Sequence, residues 1–242
     1  RSKLSKRHGA TAVTDYRDQG FLPEALLNYL ALLGWSPKDE QELLSKDAII
    51  SQFGMDRVNK SNAVFDIQKL TWMNGQYIRQ LSKDALYERT MPYIAADKLA
   101  TFENMPIDQQ KNAIVAVQDN LDTLLDINQY LDVFLESDDA VKERQSSLQW
   151  KDSDIVVLTH LVASLSEKKC SSVADFTALL DNICQKTELG KGKVFKPVRL
   201  AVTGMGSGPH ISELCSFFGS DTIIKRVSFC LGARLHEDNP TT

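Results

Sequence analysis

The feature that most constrains this chain is the spacing of its apolar residues, which recur every three or four positions almost throughout and nowhere alternate for long with polar ones. A helix gathers residues at that spacing on one stripe, whereas a half-buried strand needs period two. An all-α protein is expected. One helix should open at Pro23, carry Leu26, Leu27, Leu30 and Leu33 as its core stripe, and stop at Gly34, where a left-handed residue costs glycine little. Ser36-Pro37 predicts a second start, with serine capping free amides and proline filling the first helical position.

The same punctuation continues downstream. Asp66 precedes Ile67, Leu70 and Met73, and Ser82 precedes Ala85 and Leu86. Pro106 opens one long amphipathic run through Ile114, Val117, Leu121, Leu124 and Leu131. Ser172 and Asp175 have capping-box spacing, and two late helices should follow Pro209 and Ser220, with Gly219 between them. Gly190-Lys191-Gly192-Lys193 and Glu136-Ser137-Asp138-Asp139 read as loops. A boundary near Leu81-Ser82 would divide the 242 residues into a small helical domain, 1–81, and a larger one, 82–242.

Composition excludes several classes. No apolar run approaches the roughly 20 residues a membrane span requires, and the first residues lack the apolar core of a signal peptide, so a cytoplasmic protein is expected. Cys170, Cys184, Cys215 and Cys230 have no Cys-x-x-Cys spacing and read as reduced helical thiols. His8, His160, His210 and His236 have no metal-ligand spacing either, and no metal site is expected. A net charge of -4 argues against a general nucleic-acid binder and against DNA. The cations are nevertheless unevenly placed. Arg1, Lys3, Lys6 and Arg7 crowd one end, and Lys186, Lys191, Lys193, Lys196 and Arg199 crowd a late segment, a polarity suited to touching RNA at two separated places.

Two strings look like nucleotide loops and are not. In Gly204-Met205-Gly206-Ser207-Gly208 the third glycine of a dinucleotide fingerprint would fall at Pro209, and no strand precedes it. Gly190-Lys191-Gly192-Lys193 lacks the spacing and the Ser/Thr of a P-loop.

Three other strings carry a resemblance: Lys3-Leu4-Ser5-Lys6-Arg7-His8-Gly9-Ala10, Gly20-Phe21-Leu22-Pro23 through Gly34-Trp35, and Phe65-Asp66-Ile67 through Tyr77-Ile78-Arg79. Together with Pro-x-Arg-x-Ala-x-Thr-Gly at 197–204 and the Gly-Pro element after it, they resemble bacterial and organellar glutamyl-tRNA synthetases over nearly the whole chain. The first string is similar to the KMSKS signature of class I synthetases, with Leu4 in place of methionine and Arg7 in place of the last serine.

The resemblance implies that Lys3, Leu4 and Lys6 belong to a mobile ATP loop, where a fixed lysine offsets charge developing as pyrophosphate leaves. It implies that Asn74 and Arg79 contact tRNA backbone, and that Arg199, Pro209, His210 and Ile211 face the anticodon. The intact enzyme would join glutamate to tRNA(Glu) with ATP and magnesium, and in some members also charge tRNA(Gln). The nucleotide-binding domain with its HIGH-like signature is expected upstream of this stretch. The piece alone is therefore expected to act as a monomer that recognises RNA, needs no cofactor and does not aminoacylate. From the residues alone, a core Trp72 and Tyr77 with a polar helix exit, and Arg199 on a solvated helix face, describe the same strings, and a non-catalytic helical scaffold is the rival function.

Overall fold

A computed structural model describes residues 12–39, 41–59 and 64–237, with side chains through 232. Among them the only strand-like pairing is one isolated antiparallel bridge, Trp35 with Val58. Everything else regular is helical, as the apolar spacing predicts.

The chain divides into two compact units, one of residues 1–100 with 118–129 and one of 101–117 with 130–242. The first holds α1 (Val13–Asp18), α2 (Pro23–Gly34), α3 (Lys46–Gln52), α4 (Ile67–Arg79) and α5 (Lys83–Thr90), and α6 (Ala96–Glu103) carries the chain onward. The second holds α7 (Ile107–Val115), α8 (Asp132–Leu135), α9 (Asp138–Ser146), α10 (Asp152–Glu167), α11 (Val173–Thr187), α12 (Lys191–Thr203) and α13 (Ile211–Glu237).

Caps fall where the sequence places them. The Asp66 carboxylate accepts the Gln68 and Lys69 amides at 2.9 and 3.2 Å, Ser82 accepts from Ala85, and Ser172 with Asp175 closes a reciprocal capping box. Gly219, at φ 75° and ψ 162°, breaks α13 as expected.

Four expectations give way. After Ser36-Pro37 the chain turns without starting a helix, because no apolar residue follows until Leu43, and α3 begins later behind the Ser45 cap. The run from Pro106 is not one helix. α7 stops at Val115 and two 3-10 segments follow, Gln118–Asn120 and Leu124–Gln129. There the Asp126 carboxylate accepts the amides of Asp122 and Thr123, a local bond that competes with helix continuation. The predicted core residues Ile114, Val117, Leu121, Leu124 and Leu131 are nonetheless all buried, since successive tight turns also repeat every three or four residues. The two expected loops are helix starts instead: Ser137 caps α9 and Gly190 is the N-cap of α12.

By packing alone, residues 81–82 lie within the first unit. The Gln118 amide donates to the Ile78 and Leu81 carbonyls, and Arg89 of α5 forks onto Glu24 of α2 at 2.8 and 3.0 Å. The chain crosses 81–82 without leaving that unit's packing. Gly20, at φ 84°, lets its backbone approach 118–129 closely, because a Cβ there would lie 2.6 Å from the Leu125 nitrogen.

Candidate RNA-contacting turn

In the first unit, α4 buries Leu70, Met73, Asn74 and Ile78, positions spaced three and four apart. Asn74 lies on the core stripe, and Trp72, on another face, is 45% exposed. Of the expected core pair, Tyr77 packs against the core and its hydroxyl bonds Asn28 Oδ1 and the Leu44 carbonyl at 2.7 Å, with Arg79 as the polar exit, while Trp72 stays outside. Asn74 is fully buried: its Oδ1 accepts the Leu22 amide at 2.7 Å, and its Nδ2 donates to the Asp122 carbonyl at 2.7 Å and the Gly20 carbonyl at 3.5 Å. It joins three chain segments and has nothing left for a phosphate. Its side chain is thus accounted for inside the unit, and the expectation of an RNA contact at Asn74 gains no support from its partners. On α2 the buried face runs through Ala25, Leu26, Asn28 and Tyr29, whereas Leu27 and Leu30 are exposed. Arg79 donates to the Asp119 carbonyl at 2.9 Å and sits 3.6 Å from Asp122, with 30% of its side chain open.

In the second unit the late basic segment becomes α12, which packs against α10, α11 and α13 and buries Val194, Val198, Ala201 and Val202. Lys193 and Lys196 stand on its exposed side, and neither has an ion-pair or hydrogen-bond partner among the described residues; Lys191 is paired with Asp181 at 2.9 Å. Phe195 lies between them, with Lys191 Nζ 5.8 Å from its ring centroid and the His210 ring edge-on at 6.1 Å.

Arg199 is half-buried at the next turn of the same helix. Its NH1 is shielded from solvent and has no hydrogen-bond partner. Burial lowers the guanidinium pKa from its ordinary value, with the Cys215 thiol acting weakly the other way. The turn between α12 and α13 returns across this group. Gly208, at φ 138°, leaves room for it: a Cβ there would stand 3.3 Å from Arg199 NH1.

The other expected anticodon residues divide. His210 is exposed, and its Nδ1 accepts the Ser212 amide at 3.3 Å. Pro209 and Ile211 are buried, Ile211 at 1% exposure, so they shape the turn from beneath and offer no side chain to RNA. Phe195 was not singled out in the sequence, although a ring four residues before Arg199 among lysines is the pattern a base-stacking face requires. Lys3, Leu4 and Lys6 lie outside the described residues. Among the described residues no three His, Cys, Asp or Glu side chains gather as a metal site. The four cysteines are free thiols, and burial pushes Cys215 and Cys230 up to about 12.

An exposed basic helix side that carries a ring and a half-buried arginine has the chemistry of an RNA-contacting surface. Residues 85–231 match the family model of the anticodon binding domain, and residues 1–72 match that of the catalytic domain of class I tRNA synthetases (E and Q). The chain belongs to the anticodon-binding-domain family and corresponds to the C-terminal portion of glutamate–tRNA ligases.

Among curated relatives, a glutamate–tRNA ligase of Desulforamulus reducens is 37% identical over 241 residues, and glutamate–tRNA ligase 2 of Thermoanaerobacter pseudethanolicus is 33% identical over 228. These alignments take in 96% and 94% of this chain but 48% and 47% of the relatives, so the chain spans about half their length. A glutamate tRNA ligase from Elizabethkingia meningosepticum, crystallised with its amino acid, superposes with a TM-score of 0.67 at 25% identity, covering 96% of this chain and 49% of that one.

Proposed function

We propose that this chain supplies tRNA recognition to a glutamate–tRNA ligase, with the second unit taking the anticodon arm of tRNA(Glu). Arg199 carries the reading: a half-buried guanidinium with one buried nitrogen lacking an acceptor is costly unless a ligand supplies one, and a base edge can do so. Lys193 and Lys196 attract the adjacent phosphates, and Phe195 with His210 gives splayed bases a flat surface. In the first unit, Arg79 is the remaining candidate for contact with the tRNA stem.

The intact enzyme joins glutamate to tRNA through an adenylate made from ATP, with Lys3, Leu4 and Lys6 in the loop that faces the nucleotide. It works in the cytoplasm as a monomer. The relatives' ligase names and the match of residues 1–72 support the ligase part of this reading. Since tRNA(Glu) and tRNA(Gln) differ at the last anticodon base, charging of tRNA(Gln) depends on the side chain that meets that base.

The test is fluorescence anisotropy of the chain with labelled anticodon stem-loops from tRNA(Glu), tRNA(Gln) and a tRNA of unrelated anticodon. A preference of about tenfold or more for tRNA(Glu) over the unrelated RNA is expected. Equal binding to all three removes the anticodon reading and leaves a helical scaffold. The chain alone should also give no glutamate-dependent ATP–pyrophosphate exchange.

A further inference from the structure

The C-terminal end of α12 is held by side chains from other helices. The last carbonyls of a helix have no intrahelical donors and are usually met by water or by a following turn. Here Gln145 Nε2 donates to the Ala201 carbonyl, Arg226 NH1 to Val202 at 2.8 Å, and Arg144 NH2 to Thr203 at 3.0 Å, while the Gly204 amide closes on Leu200 at 2.8 Å. All four terminal carbonyls are thereby occupied, two by cations at the negative end of the helix dipole.

The two arginines are themselves fixed. Arg144 forks onto the Glu136 carboxylate, and Arg226 Nε donates to Asp138 at 2.9 Å, with its guanidinium 4.3 Å from the centroid of the Phe218 ring. Gly204, at φ 70°, is pressed against this clamp, since a Cβ there would lie 2.8 Å from both Cβ and Nε of Arg144. The clamp leads directly to Arg199. The Thr203 hydroxyl donates to the Arg199 carbonyl at 2.8 Å and accepts the Met205 amide at 3.0 Å, so one side chain ties the arginine's own backbone to the first residues of the turn.

We propose that Arg144, Gln145 and Arg226 are positioning residues for RNA recognition. By occupying the last carbonyls of α12 they set the direction in which 204–210 leaves the helix, and with it the place where Arg199 meets a base. None of the three needs to touch RNA. The inference rests on the reading of Arg199 given above.

Arg226 is 4% exposed, and its removal would disturb the core; Arg144 has a third of its side chain open and is the better probe. The wild-type chain, Arg144→Met and Arg144→Lys would be titrated with stem-loops of tRNA(Glu) and of an unrelated tRNA at two salt concentrations, with thermal unfolding followed by circular dichroism. Arg144→Met should narrow the preference between the two RNAs by about fivefold. Arg144→Lys keeps the charge but cannot fork between Glu136 and the Thr203 carbonyl, and should narrow it by a smaller factor.

Equal weakening toward both RNAs, or no weakening, overturns the positioning role and leaves Arg144 a structural brace. If Arg144→Met does not unfold cooperatively, Arg144→Lys decides alone, and an unchanged preference overturns the proposal. A wild-type chain with no preference overturns the base reading and this inference together. Preference kept in wild type and both variants overturns this inference only.

Discussion

Asn74 in the first unit and Arg199 in the second both belong to family strings, and both are drawn by resemblance toward RNA, yet the structure treats them oppositely. Asn74 has its oxygen and its amide nitrogen engaged by backbone from two segments, at Gly20–Leu22 and at Asp122. Arg199 keeps a buried nitrogen without an acceptor beside an exposed turn. A polar side chain that is satisfied within the protein explains its own presence. One that is half-desolvated with a nitrogen lacking an acceptor is a candidate for a partner from outside, because desolvation without compensation costs about 1 to 3 kcal/mol. The inventory of partners separates the two roles where motif membership does not.

The strongest challenge to that contrast lies with Arg226, which is deeply buried in the second unit where Arg199 is half-buried. It resembles Asn74 in being satisfied, with Asp138 and the Val202 carbonyl as partners. Arg226→Met should lower unfolding free energy by about 3 kcal/mol, the low end for breaking a buried ion pair, since Lys225 still pairs Asp138 at 2.6 Å. Urea unfolding measures it, and a loss below about 1 kcal/mol would mean that satisfaction inside the protein carries little stability.

Asn74→Ala comes next. It leaves the Leu22 amide and the Asp122 carbonyl buried without partners and should cost about 2 to 3 kcal/mol. The ratio of affinities for tRNA(Glu) and unrelated stem-loops should stay the same in the folded variant. A changed ratio would return Asn74 to the RNA contacts.

A smaller effect separates the units by pH. Lys225 first and Arg226 next hold the Asp138 carboxyl below the usual carboxylate range, and Arg89 does the same for Glu24 in the first unit. Each lowered pKa contributes stability that is present above the unfolded value, near pH 4, and lost as pH falls through the folded one. Stability should therefore be flat near neutrality and decline below about pH 5. Asp138→Asn should flatten part of that decline, and Glu24→Gln a lesser part because its pair is more exposed. Identical acid profiles in wild type and both variants would contradict these assignments.

Much of this was legible in the sequence, and the losses have physical causes. Helix class, the caps at Asp66, Ser82 and Ser172 and the break at Gly219 follow from local chemistry that a single chain displays. The core stripe of α2 was displaced, because leucines occupy both faces there and only packing decides which is buried: Leu26 goes in while Leu27 and Leu30 stay out. The 118–129 segment carries helical spacing without forming a helix, since its return to the first unit depends on long-range bonds to Gly20, Asn74 and Ile78.

At the candidate site, the basic cluster and the Gly-Pro turn were visible. The burial of Pro209 and Ile211, the ring of Phe195 beside His210 and the missing acceptor of Arg199 were not, because each is a relation between two helices.

The central claim is that Arg199 reads a base. It is tested most directly by titrating wild type and Arg199→Ala with anticodon stem-loops from tRNA(Glu) and from an unrelated tRNA at two salt concentrations. If Arg199 hydrogen-bonds a base, the substitution removes about 1 to 3 kcal/mol from binding of the tRNA(Glu) stem-loop and much less from the other, so the gap between them closes, while the salt slope stays nearly constant. Equal loss with both RNAs and a shallower salt slope would make Arg199 a phosphate contact, and no loss with either would place it on an ordinary solvated helix face; both results contradict the claim.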